Sequence, residues 1–252
     1  MDGWSRVSVI VIARDAARVL PEALASVPRG AEIVVADGAS RDATAEVARA
    51  HGARVVAQDL AAVAAAGGNF DVARNDAARH AQREWVLFLD ADERLSPALA
   101  AEIAQAVAAD TVAAYDMPRV NLFWGKPVRL LGEDRQRRLV RRGRGCFEGR
   151  ALHQPMRVDG PIGHLTMPLV HENVRRCGDL ARRFRRDVPI QAAALAAPPG
   201  LGEACRIPLR MFRYYYCTNA AWRDGPRGLA VAFAYALYHG AIAAAGLGRR
   251  GA

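Results

Sequence analysis

Residues 85–94, Trp-Val-Leu-Phe-Leu-Asp-Ala-Asp-Glu-Arg, join an unbroken apolar run to two carboxylates spaced i, i+2. A short continuous apolar run reads as a strand buried on both faces. Charging the tip of such a strand with Asp90 and Asp92 is costly unless a cation or a positive ligand neutralises them. Where a strand ends the chain leaves its pleat, so both carboxylates can turn toward one point. Two converging hard oxygen donors suit Mg²⁺ or Mn²⁺, with phosphate oxygens completing the shell. Asp-x-Asp alone also describes a solvated acidic turn, so the surrounding chain decides.

Upstream, Val7–Ala13 (Val-Ser-Val-Ile-Val-Ile-Ala) is rich in β-branched residues and predicts a central parallel strand. Residues 20–27 have helical spacing, with Pro21 in the first turn. Glu32–Asp37 is a second strand ending in a carboxylate, followed by Gly38-Ala39-Ser40-Arg41-Asp42. A short helix over 44–51 closes at Gly52, and a third strand covers 54–57. A helix over 70–80 leads to the strand at 85–89, and Ser96-Pro97 opens a helix running to about residue 109. The alternation predicts an α/β fold, a mostly parallel sheet with helices on both faces. Ligands in such sheets bind at the carboxyl ends of strands, where Asp37 and the Asp90/Asp92 pair both lie.

At this point the residues carry a family likeness. Ser8-Val9-Ile10-Val11, residues 33–44 and residues 85–93 together resemble the N-terminal half of glycosyltransferase family 2. The middle run is similar to that family's Val-Asp-x-Gly-Ser-x-Asp-x-Thr element, with Ala39 in the glycine position. Residues 119–126, 138–143, 158–163 and 222–238 extend the resemblance toward the small bacterial lipopolysaccharide-core β-1,4-glucosyltransferases. The resemblance implies a GT-A, Rossmann-like fold with a C-terminal helical appendage. Residues 1–112 would form the nucleotide-sugar half, 113–172 the acceptor side of the same domain, and 173–252 a basic helical region peripheral to a membrane.

Roles follow from the same likeness. It assigns Asp37 to the nucleotide base or ribose, whereas a plainer role is to cap the amides of residues 40–42. Arg74-Asn75 matches a pair lying against the nucleotide, where a diphosphate needs counter-charge; a helix-surface arginine is the plainer alternative. Ile12, Ala13 and Arg14, at the end of the first strand, complete the nucleotide-sugar side. Asp92 is the metal ligand, and Asp90 contacts ribose or metal. Because family 2 enzymes are mostly inverting, one carboxylate must act as base on the acceptor hydroxyl. Asp134 aligns with the acid that precedes the family's Arg-Leu-Phe element, here Arg138-Leu139, and Glu133 is the reserve. The aromatic residues usual before that acid are replaced by Leu130-Leu131-Gly132. His153, in Leu-His-Gln, is the histidine assigned to the metal or diphosphate, and His171, in Leu-Val-His-Glu, is the second candidate.

Charge separates the two ends of the chain. Residues 1–134 hold 14 Lys+Arg against 19 Asp+Glu, whereas residues 135–252 hold 21 against 7, or −5 and +14. A basic half can face nucleic acid, an anionic membrane or an anionic acceptor. The chain has no Cys/His finger spacing, no RNP-like aromatic motif and no basic zipper, and its basic runs lack interleaved aromatics for stacking bases. No nucleic-acid partner is therefore expected. Residues 229–247 are apolar apart from His239 and approach the ~20 residues that cross a bilayer. Their Ala and Gly content favours a helix packed on the domain or lying at the interface. Val7–Ala13 is too short for a secretory leader and runs into Arg14-Asp15. The four cysteines form no Cys-x-x-Cys pair, which fits a reduced cytoplasmic chain.

The expectation is a Mg²⁺- or Mn²⁺-dependent inverting glycosyltransferase, peripheral at the inner face of the cytoplasmic membrane. It would move a hexose from a nucleotide diphosphate sugar, UDP-linked, to a cell-envelope glycan or glycolipid, including a phosphorylated one. The alternative is an inactive membrane-peripheral adaptor on the same fold.

Overall fold

The computed structural model describes residues 3–66, 69–109, 111–131, 134–148, 156–195 and 197–248. The chain divides into two compact units, residues 1–120 with 134–171 and residues 121–133 with 172–252.

The first unit is built on strands β1 (Val7–Ala13), β2 (Glu32–Asp37), β3 (Arg54–Ala57) and β4 (Trp85–Phe88), with helices α1 (Leu20–Ala25), α2 (Thr44–Ala50), α3 (Leu60–Ala65) and α4 (Phe70–Ala78) between them. These four strands run parallel in the order β3-β2-β1-β4. A short strand β5 (Glu93–Leu95) and helix α5 (Pro97–Ala109) follow, then β6 (Ala114–Phe123), β7 (Lys126–Pro127), β8 (Arg135–Arg141), β9 (Gly145–Cys146), β10 (Arg157–Val158), β11 (Ile162–His164) and β12 (Leu169–Val174). β8 joins β4 antiparallel, with Leu87 opposite Leu139, and β6 pairs antiparallel with β8. The sheet is thus parallel where the sequence alternates strand and helix, and mixed beyond.

Alternation along each strand explains its burial on both faces. Val7, Val9, Val11, Trp85 and Leu87 point into one core with Leu20 and Leu24 of α1 and Leu99 and Ile103 of α5. Ile10, Val34, Val86 and Phe88 point into the other, against Ala77 of α4, Phe147 and Met156. Helices cover both faces, as the α/β pattern requires. Pro21 sits in the first turn of α1, and Ser96 Oγ accepts from Leu99 N (3.1 Å) to start α5. α3 and β5 were not expected from the sequence: α3 buries none of its residues, and β5 is only three residues long.

The second unit is helical: α6 (Cys177–Ala193), α7 (Leu201–Arg213), a π-helical turn at Tyr214–Thr218 and α8 (Gly225–Leu247). Its core gathers Phe123, Val128, Leu130, Val174, Tyr215, Val231 and Ala232. A second cluster joins Ala192, Tyr238 and Ile242 with Phe184. The segment Ala221–Leu247 is long and apolar enough to cross a membrane by length and composition, with 39% of its most apolar window buried.

Candidate active site at the strand ends

The first corner is made by the loops after β1 and β2. Ala13 lies opposite Asp37 in the parallel register, so both strands end together. The Ala13 carbonyl accepts from Gly38 N (2.8 Å), and Asp37 holds its own loop by accepting from Ser40 N (3.1 Å) and Ser40 Oγ (2.5 Å). Asp42 accepts from Ala17 N at 3.1 Å, and Arg41 N donates to Asp15 at 2.7 Å, which laces the two loops together. A Cβ at Gly38 would fit tightly, 3.2 Å from Arg14 Cβ, 3.3 Å from Gln58 Oε1 and 3.4 Å from the Ala13 carbonyl. Ala39 adopts φ +57°, the left-handed region that glycine occupies without strain. The capping role for Asp37 is therefore present. Ala13 is buried, Ile12 is half-buried and Arg14 is exposed at the same corner.

The second corner follows β4. Asp90 N donates to Glu93 Oε2 (3.0 Å) and Glu93 N to the Asp90 carbonyl (2.9 Å), closing a tight turn around Ala91 and Asp92. From there a ladder of alternating charge runs through the unit. Asp71 pairs with Arg74 (3.2 Å), Arg74 with Asp90 (2.8 Å), and Asp90 with Arg138 (2.6 Å). Arg138 also reaches Glu93 (3.3 Å), Glu93 meets Arg119 (3.1 Å), and Arg119 meets Asp134 (2.7 Å). Glu93 is fully buried and Arg138 nearly so. Burial opposes ionisation of Asp90, but the guanidinium charges of Arg138 and Arg74 hold its carboxyl well below the usual carboxylate range. Burial likewise works against the charge on Arg138, yet Asp90 and Glu93 raise its pKa further. Arg119 is raised against the same burial by Glu93 and Asp134.

Asp92 and His171 form the third element. β12 pairs antiparallel with β5, setting His171 opposite Glu93, and His171 Nε2 lies 3.4 Å from Asp92 Oδ2. Asp92 keeps 34% of its side-chain surface exposed, whereas His171 keeps 12%. Among the described residues no group of three or more His, Cys, Asp or Glu converges on one point, so a cation here would take its remaining ligands from a substrate and water. The donor set fits such a cation. The ladder's four carboxylates outnumber its three arginines, and Asp92 adds a further negative charge. Arg74 Nε and Arg138 Nε are buried donors without a hydrogen-bond partner in the structure, the kind of group an anionic oxygen satisfies.

Each oxygen of Asp90 accepts from an arginine, Oδ1 from Arg74 Nη2 (2.8 Å) and Oδ2 from Arg138 Nη2 (2.6 Å). Asn75 gives both ends of its amide to Phe147, donating to its carbonyl (2.7 Å) and accepting from its N–H (2.9 Å). It therefore fixes the Phe147 segment, whose ring lies 5.5 Å from Arg74 Cζ. His153 and Glu133 lie outside the described residues; the histidine beside Asp92 is His171. Asp134 is held at both oxygens, by Arg119 Nε (2.7 Å) and Gln136 Nε2 (2.6 Å). Glu93, Arg119 and Arg138 were not assigned from the sequence as part of the site, although Arg138 had been noted in the Arg-Leu element. Two cavities of about 400 and 200 Å³ beside Arg144 and Asp159 are lined by none of these residues.

Glycosyl transferase family 2 matches the chain over residues 8–158, more than half its length. A TPR repeat-containing protein of Synechococcus elongatus is 41% identical over 92 residues, 36% of this chain and 21% of that one, so the chain spans about a fifth of that relative's length. A solved mannosyltransferase, PcManGT from Pyrobaculum calidifontis, has a similar fold at a TM-score of 0.53 and 19% identity, covering 96% of this chain and 87% of that one. S. aureus TarS is similar at a TM-score of 0.50 and 16% identity, covering 84% of this chain and 44% of that one. At these identities the structures speak for the fold, a GT-A α/β domain. With the family pattern reaching from β1 through the Asp90–Asp92 turn to β10, the chain belongs to glycosyl transferase family 2.

Proposed function

We propose that the chain is a metal-dependent, inverting hexosyltransferase using a nucleotide diphosphate sugar, with UDP-hexoses first among the donors. Its acceptor would be a cell-envelope glycan or glycolipid, in line with the sequence resemblance to lipopolysaccharide-core glucosyltransferases, and it would work at the cytoplasmic face of the membrane. The observation that carries this reading is the Asp92–His171 pair, with Asp92 two residues after the Asp90 carboxylate that Arg74 and Arg138 fix in place. The mannosyltransferase of similar fold is described in complex with GDP-Man and Mn²⁺, which supports divalent metal use; Mg²⁺ suits the same donors.

In this reading Asp92 and His171 hold the cation, which when bound would neutralise the departing nucleoside diphosphate. Asp37, with the end of β1 at Ile12, Ala13 and Arg14, holds base and ribose. Asp90 stays ionised and faces the ribose, while Arg74 supplies counter-charge to the diphosphate. Asp134 takes the proton from the attacking hydroxyl on the face opposite the leaving group. Arg119 and Gln136 set the direction of its two oxygens. Glu133, its neighbour in sequence, is the reserve base.

The test is a turnover screen of UDP-, GDP- and dTDP-sugars with Mn²⁺ or Mg²⁺, paired with the melting temperature in Mn²⁺ plus UDP. Turnover of one donor class together with a metal-dependent rise in melting temperature supports the proposal. Neither signal with any donor would favour a non-catalytic protein on this fold.

A further inference from the structure

We propose that the helical unit is a lipid-docking module, seated in the plane of an anionic monolayer through the outer face of α8. This goes beyond the donor chemistry above. The first unit holds 20 Lys+Arg and 20 Asp+Glu, whereas the helical unit holds 15 and 6, so the entire net charge of +9 belongs to the helical unit. The same unit carries nine of the twelve large hydrophobic side chains exposed among the described residues. Attraction to anionic headgroups and an apolar surface to insert therefore occur in one unit.

On α8, Leu229, Phe233 and Leu237 are 45%, 57% and 54% exposed and recur every four residues, which places them on one stripe. The other exposed residues of the helix are Gly225, Pro226 and alanines, so nothing charged interrupts that face. At the approach to the helix Trp222 is 52% exposed, and the Arg223 guanidinium lies 5.2 Å from its ring. An exposed tryptophan beside arginine, ahead of an apolar stripe, is the composition of an interfacial anchor.

Two other occupants fit less well. A membrane-crossing helix must be free all round, but the opposite side of α8 is seated in its own unit. A Cβ at Gly228 would lie 1.8 Å from the Ala221 carbonyl. Val231 and Ala232 on that side are fully buried. A second copy would bring one unit of charge +9 against another, which repels. An anionic lipid surface complements the charge and accepts the stripe.

The experiment is co-sedimentation of the full chain, without nucleotide, with phosphatidylcholine vesicles that do or do not contain about a third phosphatidylglycerol. Binding is expected only to the anionic vesicles. It should fall about tenfold or more between about 0.1 M and about 1 M salt, as the Debye length shrinks. Phe233→Gln with Leu237→Gln should lower partitioning by about tenfold or more with only a small change in melting temperature, because more than half of each residue is already exposed to water. Four results would overturn the proposal: equal binding to neutral vesicles, unchanged binding of the double variant, a salt-insensitive fraction released only by detergent, or a concentration-dependent dimer that the double variant abolishes. Without nucleotide present, failure here leaves the transferase reading standing, and failure of the donor screen leaves this one standing.

Discussion

Arg138 Nη2 lies 2.6 Å from Asp90 Oδ2, and this one contact ties β8 to the turn that carries the Asp-Ala-Asp motif. The same nitrogen reaches Glu93 Oε1 at 3.3 Å, so one buried cation serves two carboxylates. A buried ion pair is weak evidence of net stability, but breaking one by deleting a single partner is expensive. The ladder is therefore best understood as a device that holds Asp90 ionised and correctly aimed.

Arg138→Gln takes from each of the carboxylates Asp90 and Glu93 one of its two arginine partners, leaving Arg74 on the first and Arg119 on the second. The variant should lose about 3–5 kcal/mol of stability, a fall of roughly 10 °C in melting temperature. Thermal unfolding monitored by circular dichroism checks this. A variant as stable as the parent would mean the pair is not formed in solution.

Asp134→Asn keeps the shape of the side chain and removes the proton acceptor. Transfer should drop about 100-fold or more, as loss of a general base does, while donor binding in the presence of metal is retained. Near-normal transfer would remove Asp134 from the base role, and Glu133 would be the next residue to substitute.

Ala39 sits at φ +57° in the loop after β2. A β-branched residue is strongly disfavoured there, so Ala39→Val should cost about 1–2 kcal/mol. Urea denaturation of the two proteins gives the difference, and an unchanged midpoint would show that the loop does not need the left-handed conformation.

His239 lies 2.8 Å by its Nε2 from the Tyr215 hydroxyl, and burial lowers its pKa. The ionisable groups packed against it are Tyr215 and Tyr238, each pushed up to about 12, mainly by burial. Neither tyrosine titrates near neutrality, so within this cluster the group that titrates below pH 7 is the histidine. A folded-state pKa below the unfolded value gives stability that is present above about pH 6.5 and lost as pH falls toward the lowered value. Melting temperatures measured from pH 7.5 to 5 should fall, and His239→Gln should flatten that slope. A variant with the parent's slope would place the titration elsewhere.

The parts legible in the sequence are those written locally. Val7–Ala13 and Glu32–Asp37 are strands because β-branched residues recur along them, and Asp37 and the Asp90/Asp92 pair stand where β2 and β4 end. The ladder was not legible because its members come from distant segments. Arg138 meets Asp90 only because β8 lies antiparallel to β4 with Leu139 opposite Leu87, and His171 meets Asp92 only because β12 pairs with β5. No local period encodes either pairing. A three-residue strand such as β5 leaves too short a pattern to read, and the amide pair between Asn75 and the Phe147 backbone joins segments 72 residues apart.

The central claim is that Asp92 and His171 form the metal-dependent half of a nucleotide-sugar site. The most direct test measures UDP-sugar turnover and UDP affinity for the parent, Asp92→Ala and His171→Ala, each with Mn²⁺ and with EDTA. The account predicts that EDTA abolishes parental turnover and that Asp92→Ala does so without unfolding the chain. His171→Ala should weaken apparent Mn²⁺ affinity about tenfold or more, as loss of one ligand does. Full parental turnover in EDTA, or an Asp92→Ala enzyme as active as the parent, would contradict it.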